Sequence, residues 1–351
     1  MTGFAGEPDE PNGLQQSHFA ATTLRESGFA ATADGAATAD GAATADGAAT
    51  PGGDLGGLET EQADPRYAGI DTASVGELAA LMNEADAEVP AAVRAALPQI
   101  VPAIEAVVER MRSGGRLLYV GAGTPGRIGV LDASECPPTF GTPPELVRGV
   151  IAGGRDAVFA AQEGVEDDED AGRAAIAGED VRPVDSVVGL AASGRTSFVV
   201  AAVAEARARG ALTVGLSCNA DTPLSAAAEY AIEVLVGREV VAGSTRLKAG
   251  TAQKLVLNMF STIVMVRLGK TYGNLMVDLH ASNGKLRERA IRMVTTVTGA
   301  SRDRAAAALE ASDMQVKLAI LRLESGLDEA QAEVRLAATG GSLRAAMEGE
   351  R

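Results

Sequence analysis

The sequence has few of the side chains from which many enzymes build metal sites and nucleophile triads. Its 351 residues include two histidines, His18 and His280, two cysteines, Cys136 and Cys218, and no tryptophan. A His-rich metal site or a Ser-His-Asp triad is therefore nearly excluded, and nothing indicates a disulfide framework. Acid–base chemistry in this chain must depend mainly on carboxylates, lysine, tyrosine or cysteine.

Basic stripes and long apolar runs are also missing, which narrows the range of partners. The formal net charge is −16 and no stripe of Lys and Arg is present, so nucleic acid is not an expected partner. No apolar run is long enough to span a bilayer, and the N-terminus lacks the pattern of a secretion signal. We expect a cytoplasmic protein that binds neither membranes nor nucleic acid.

Composition divides the chain into four parts. Residues 1–56, in which "AATADG" occurs three times, are predicted to be a disordered low-complexity tail. Residues 57–115 are predicted to be an N-terminal helical segment, and residues 116–272 an α/β domain. Residues 273–351 are predicted to be a C-terminal helical region that forms a small bundle.

The N-terminal helical segment contains a clear start signal and two apparent breaks. Ser74 and Glu77 have the spacing of a capping box, which predicts a helix from Val75. Pro90 and Pro98 are predicted to separate that helix from two more.

The pattern becomes strand–loop–helix from residue 116. The apolar runs are short, rich in β-branched residues and apolar on both faces, as buried parallel strands are. We therefore predict a doubly wound α/β fold with a parallel sheet. The runs are "RLLYVG" (116–121), "LVRGVIAG" (146–153), "SVVGLAA" (186–192), "LTVGLS" (212–217) and "AIEVLVG" (231–237).

Two of the loops that follow these strands have the same chemical character. "GAGTPGR" (121–127) and "AASGRT" (191–196) each combine small residues, a hydroxyl, Gly and Arg before a predicted helix. A helix N-terminus offers N–H groups to an anion, so a phosphate is the natural ligand, although an ordinary tight turn explains either loop alone.

A nicotinamide cofactor is the alternative for the first loop, because Gly121, Gly123 and Gly126 match G-x-G-x-x-G. That fingerprint needs an acid about 20 residues further on, at the end of the second strand. Asp156 lies about 30 residues beyond the glycines and follows the strand, so the match is weak evidence for a dinucleotide.

Two glutamates stand near these loops. Glu135 precedes "CPP", and the residue before a proline is pushed out of the α region, so the helix from Ile128 is predicted to end near it. Glu135 would then lie in a short, fixed loop. Glu166 follows the second strand in "QEGVEDDEDAG". By spacing alone, a surface acid is the more ordinary interpretation of either residue.

The stretch "GSTRLKAGTAQK" supplies another candidate. Ser244 is predicted to cap a long helix within 244–272, and Lys248 lies one turn further on. A cation near the substrate and a lysine in solvent are equally open interpretations of Lys248.

Taken together, the motifs resemble the N-acetylmuramic acid 6-phosphate etherase family, whose members have a sugar-isomerase-type (SIS) domain. The resemblance extends from about Leu58 to the C-terminal bundle and leaves only the tail uncovered. The motifs that carry it are "LETEQADP", "GAGTPGRIGVLDASECPPTFG", "IAGG", "EGVEDDEDAG", "AASGRT", "GSTRLKAGTAQKLVLNM" and "GKTYGNLMVD".

This resemblance implies a lyase that releases D-lactate from N-acetylmuramate 6-phosphate in cell-wall recycling, without metal or other cofactor. By motif, Glu135 is the expected proton donor and Glu166 the second active-site acid. The resemblance also implies that the phosphate and sugar are held by the two loops, at Gly123, Thr124, Ser193, Gly194 and Thr196. A homodimer with ligand sites near the interface is also implied. One departure is Pro125, which stands where the family usually has Ser in "GTSGR" and supplies neither a hydroxyl nor an N–H.

Two other functions share parts of this pattern. A non-catalytic sugar-phosphate-binding regulator would need the phosphate loops but not two placed acids. A sugar-phosphate isomerase would use the loops and one carboxylate base, and would leave the second acid without a role.

Overall fold

The structure, a computed structural model, describes residues 57–162, 164–279 and 284–349. The predicted tail and His280 lie outside the described residues. Within them, the predicted capping box is confirmed, since the backbone N–H of Ser74 donates to the Glu77 carboxylate (2.8 Å) and that of Glu77 to the Ser74 hydroxyl (3.3 Å).

A single five-stranded parallel sheet forms the centre of the α/β part, as predicted. Its strand order is β2-β1-β3-β4-β5. The three inner strands are buried along their whole length, which explains their continuous apolar character, whereas the outer strand β2 exposes Arg148. The strands are β1 (Leu117–Gly121), β2 (Val147–Ile151), β3 (Ser186–Leu190), β4 (Leu212–Ser217) and β5 (Tyr230–Glu233).

Helices cover both faces of the sheet, so the fold is doubly wound. Each face of the sheet has its own apolar core beneath its helices. On one face lie α1 (Val75–Ala95), α2 (Leu97–Arg112), α3 (Gly123–Phe140) and α7 (Lys248–Arg267); on the other lie α4 (Glu169–Gly178), α5 (Ser197–Ala208) and α6 (Pro223–Ala227).

The C-terminal helices form a third core, in agreement with the predicted bundle. Asp278 ties this bundle to the rest, because its carboxylate pairs with Lys270 at 2.5 Å and with Lys317 at 3.1 Å. Gly141 caps α3 in the left-handed conformation, and a Cβ there would lie 2.0 Å from the Asp278 carbonyl oxygen. The helices are α8 (Gly284–Thr298), α9 (Arg302–Glu310), α10 (Val316–Ser325), α11 (Glu329–Ala338) and α12 (Leu343–Glu348).

α1 continues through a proline at which the sequence predicted a break. Pro90 lies inside α1, so the predicted break there is wrong, while Pro98 lies in the first turn of α2 as a helix start allows. In the described residues no single helix has the length and apolar content to cross a bilayer; α1 and α2 pass that test only as a pair bent by 62°.

Candidate active site

The two predicted phosphate loops lie side by side at the carboxyl edge of the sheet. β1 and β3 are neighbours, and their last residues, Gly121 and Leu190, are direct partners in the parallel register. The chain that follows each strand therefore emerges at the same edge, where ligands bind in open α/β sheets. This brings the loop with Gly123 and Thr124 beside the loop with Ser193.

The first loop enters α3 without a side-chain cap. Ala122 is the N-cap residue and offers no side-chain cap, so among the described residues no N-cap side chain accepts from the N–H groups of the first turn of α3. Pro125 is buried within this first turn, and the helix forms around it as predicted. Thr124 lies next to the start of α7, since a Cβ at Gly250 would be 3.5 Å from the Thr124 methyl carbon.

The second loop is shaped by Gly194, whose φ is +67°. A Cβ at this position would lie 2.3 Å from the Thr222 side chain, so glycine is required both by conformation and by space. The Ser193 hydroxyl accepts a hydrogen bond from the Arg195 N–H (3.2 Å), which holds the turn. Thr196 is the N-cap of α5, but its side chain does not cap the helix.

Glu166 lies at the same edge as the phosphate loops. Its carbonyl oxygen accepts a hydrogen bond from the backbone N–H of Phe198 (3.0 Å), in the first turn of α5. Its side chain is exposed. The structure thus brings Glu166 together with Thr196 and the second loop, a proximity that the sequence separation of these residues did not reveal.

Glu135 lies elsewhere, and the prediction of a loop around it is wrong. α3 continues through Pro137 and Pro138 to Phe140, so Glu135 is helical and its side chain is exposed. Thr124 and Glu135 are eleven positions apart on this helix, which separates them by about 16 Å along the axis at about 1.5 Å per residue. Within one chain, Glu135 is therefore far from the phosphate loops.

A small cavity of about 190 Å³ between α3 and α7 contains Glu135. Asp132, one turn before Glu135, also lines it, together with Lys254 and Asn258. Burial raises the pKa of Asp132, opposed by hydrogen bonds that include the one from the Ser261 hydroxyl (3.1 Å). Sequence reasoning missed Asp132, although its i, i+3 spacing to Glu135 on one helix is a usable signal.

The start of α7 is built differently from the prediction. α7 begins at Lys248, and Ser244 lies in the preceding turn and does not cap it. Instead the buried Glu239 carboxylate accepts hydrogen bonds from the N–H groups of Lys248 and Ala249, both at 2.9 Å. The negative charge of Glu239 interacts favourably with the dipole at the N-terminus of α7. Because Glu239 lies nine residues before the helix start, no local sequence pattern identifies it as the cap.

Lys248 is not in solvent. Its side chain is 1% exposed and its ammonium group pairs with the Glu88 carboxylate at 3.0 Å. This ion pair joins α7 to α1, so the described contacts of Lys248 hold the start of α7 in place beside Thr124.

The remaining candidates for reactive groups are buried or scattered. Cys136 and Cys218 are free and buried, and burial raises the pKa of the Cys136 thiol to about 12. In the part of the chain that the structure describes, no group of three or more His, Cys, Asp or Glu side chains is placed to hold a metal ion.

Comparisons with known proteins agree with this architecture. The model of the glucokinase regulatory protein N-terminal SIS domain matches residues 99–207, and the SIS-domain model matches residues 167–263. A Streptomyces avermitilis protein named N-acetylmuramic acid 6-phosphate etherase is 57% identical over 83% of this chain and 93% of its own length. One of the same name from Rubrobacter xylanophilus is 57% identical over 85% of this chain and 98% of its own length.

Solved structures show a more distant similarity. An Escherichia coli CFT073 protein in complex with A5P aligns with a TM-score of 0.40 and 17% identity, over 55% of this chain and 93% of that one. The sequence comparisons, by contrast, extend over nearly the whole length of the relatives that they match.

Proposed function

The chain belongs to the N-acetylmuramic acid 6-phosphate etherase family, and we propose that its lyase reaction takes place at the carboxyl edge of the sheet, with a second subunit completing the site. The activity is cleavage of the carbon–oxygen bond of the D-lactyl ether. N-acetylmuramate 6-phosphate is converted to N-acetylglucosamine 6-phosphate and D-lactate, and the working location is the cytoplasm.

The observation that carries this proposal is the hydrogen bond from Phe198 N–H to the Glu166 carbonyl. It fixes a carboxylate residue at the N-terminus of the same helix, α5, whose first turn has no side-chain cap. A phosphate held there by N–H groups and by the hydroxyls of Thr124, Ser193 and Thr196 would place the sugar next to Glu166.

The reaction needs two carboxyl groups in different protonation states. A carboxylate removes the C2 proton of the ring-opened sugar, the C2–H electron pair becomes the C2–C3 double bond, and the C3–O bond breaks. A carboxylic acid, assigned to Glu135, protonates the departing lactate oxygen. Water then adds its hydroxyl at C3 and a proton at C2, which gives the product sugar.

Glu135 reaches this site only from another subunit. The separation of about 16 Å from Thr124 along α3 is too long for a hexose phosphate to bridge within one chain. We infer a homodimer in which Glu135 of the partner subunit faces the phosphate loops and Glu166. Each subunit then supplies one acid to each site.

Exposed apolar side chains on α2, α3 and α7, which pack on the same face of the sheet, support this pairing. Leu131 is 50% exposed on α3, and Val101 and Ile263 are 48% and 39% exposed on α2 and α7. Val101 and Ile263 also line a groove of about 670 Å³ between those two helices. Exposed apolar side chains along a groove are typical of a protein–protein interface.

The test is to incubate the full chain with N-acetylmuramate 6-phosphate and to assay D-lactate. Release of D-lactate with one equivalent of N-acetylglucosamine 6-phosphate is expected. Binding of the product without any lactate release would instead indicate a regulatory protein, and interconversion of aldose and ketose phosphates would indicate an isomerase. Sedimentation of the protein as a monomer during turnover would contradict the shared site.

A further inference from the structure

The first residues that the structure describes include a short strap, Leu58–Gln62, which lies against the candidate site. Thr60 in its centre is fully buried. The side-chain amide of Asn219, 4% exposed, donates to the Thr60 hydroxyl and to the carbonyl oxygen of Ala192, both at 3.0 Å. One buried amide therefore fixes the strap to the residue that precedes Ser193.

The strap is also attached to the loop before α7. The carbonyl oxygen of Thr60 accepts a hydrogen bond from the N–H of Gly243 (3.0 Å), the residue before Ser244. Gly243 has a φ of +75°, and a Cβ there would lie 2.8 Å from Oε2 of Glu61. The Glu61 carboxylate thus lies against Gly243, next to the Thr60 contacts that attach the strap to both places.

Glu61 is unusual among the acids of this region because it is half buried without a partner. Within the described residues its carboxylate makes no hydrogen bond and no ion pair. Its neighbour Glu59, by contrast, is exposed. A partly desolvated carboxylate gains most from groups that donate hydrogen bonds to it.

The charge of Glu61 also indicates which part of a ligand it would contact. A carboxylate repels a phosphate, so the phosphate group belongs on the N–H groups and hydroxyls of the two loops. The sugar of an amino-sugar phosphate carries hydroxyl groups and an acetamido N–H, all of which are donors. A carboxylate held beside the phosphate loops is suited to accept from them.

We propose that Glu61 is a substrate-binding residue that recognises the sugar, through its hydroxyl or acetamido N–H donors, and that the strap exists to hold it there. This inference rests on the sugar-phosphate site of the proposed function. Thr60 and Asn219 are positioning residues, because they fix the strap without touching the sugar.

The experiment measures binding by the full chain of two probes, N-acetylglucosamine 6-phosphate and inorganic phosphate. Glu61→Ala is expected to weaken binding of N-acetylglucosamine 6-phosphate by about ten- to 150-fold, the range for a lost hydrogen bond to a charged group. Inorganic phosphate, which does not reach Glu61, should bind within about twofold of the parent. Glu59→Ala removes a charge from the same strap and serves as the matched control, so it should leave the affinity for both probes unchanged.

Thr60→Val provides a second variant, since it keeps the side-chain volume but removes the hydroxyl that Asn219 binds. This variant should weaken binding of the sugar phosphate and leave the affinity for inorganic phosphate unchanged. Two results would overturn the inference: unchanged sugar-phosphate affinity in Glu61→Ala, or equal weakening of both probes, which would show a structural role only. If the parent itself binds neither probe, the proposed sugar-phosphate site has failed instead.

Discussion

Thr124 and Glu135 lie on the same helix, α3, about three turns apart, so that the phosphate-loop hydroxyl and the expected proton donor are near opposite ends of it. The two residues belong to one sequence motif, "GAGTPGRIGVLDASECPPTFG", but the helix holds them far apart. In the homodimer that we propose, the same separation would place Glu135 of the partner subunit at the predicted phosphate loops.

A mixed dimer tests that arrangement. Glu135→Gln and Glu166→Gln should each lower D-lactate release by about 10²–10⁴-fold, the usual contribution of a general acid or base. When the two variants are co-produced, the mixed dimer contains one site with both native acids. Activity should then recover to about a quarter of the parent, since about half of the dimers are mixed and half of their sites are intact.

Glu145→Gln serves as the control, because Glu145 is exposed and makes no hydrogen bond or ion pair in the described residues. It should leave turnover unchanged. No recovery in the mixed population, with dimers present, would show that both acids act from one chain and that α3 is not shared.

Pro125 and Ser193 test the phosphate loops. Pro125→Ser restores a hydroxyl and an N–H in the first turn of α3 and is expected to tighten binding of N-acetylglucosamine 6-phosphate. Ser193→Ala removes a hydroxyl from the second loop and should weaken binding by about ten- to 150-fold. Titration calorimetry measures both effects. If neither variant changes the affinity, the phosphate binds elsewhere.

The N-terminal tail should be dispensable, whereas the strap should not. A chain that begins at Gly57 is expected to keep its fold and its D-lactate release, because residues 1–56 have the composition of a solvated tail. A chain that begins at Ala63 lacks Thr60 and Glu61 and should lose affinity for the sugar phosphate. Loss of activity already in the longer chain would assign a role to the tail.

Asp185 is expected to govern part of the acid sensitivity of the fold. It is fully buried before β3, and Arg116 and Arg182 donate to its carboxylate at 2.7 and 2.9 Å. Burial alone would raise the pKa of Asp185, but these hydrogen bonds outweigh burial and lower it below its ordinary value of 3.8. The stabilisation that ionised Asp185 gives the folded protein is therefore complete above pH 3.8, its ordinary pKa, and is lost as the pH falls through the lowered pKa.

Asp185→Asn should accordingly reduce the free energy of unfolding at pH 7 by about 3 kcal/mol, the lower end for a broken buried pair because Arg182 is half exposed. Urea titrations at pH 7 and below pH 4 measure the free energy of unfolding of the parent and of the variant. The difference between parent and variant should shrink in acid, whereas the exposed Asp303→Asn should show no such trend. A difference that is the same at both pH values would contradict the assignment.

The sheet and the position of the two strand-end loops were predictable because their signals are local. Buried parallel strands are apolar on both faces, and a Gly-containing turn before a helix marks an anion site at the next residue or two. The parallel register then brings Thr124 and Ser193 together without further information. The prediction that a proline ends a helix was wrong at Pro90 and Pro137, however, whereas Pro98 does stand at a helix start. α3 passes through Pro137 and Pro138 because its last turn is held by Phe140 in the core.

Other features of the site depend on contacts that no local pattern encodes. Glu239 caps α7 from a separate segment, and Lys248 pairs with Glu88 160 residues earlier in the chain. The strap contact between Thr60 and Asn219 spans 159 residues. Such long-range pairs follow from the completed fold, so the sequence could indicate the residue types but not their partners.

The left-handed turn at Gly141 has a consequence for how the molecule unfolds. Because the Asp278 carbonyl occupies the space of a missing side chain there, the end of α3 and the segment leading to the C-terminal helices are in van der Waals contact through backbone atoms. Unfolding of the segment that leads to the C-terminal helices would therefore remove this contact from the end of α3. Heat should remove the sheet and the helical bundle in one cooperative transition, and any loosening of the bundle would be transmitted directly to the helix that carries Glu135.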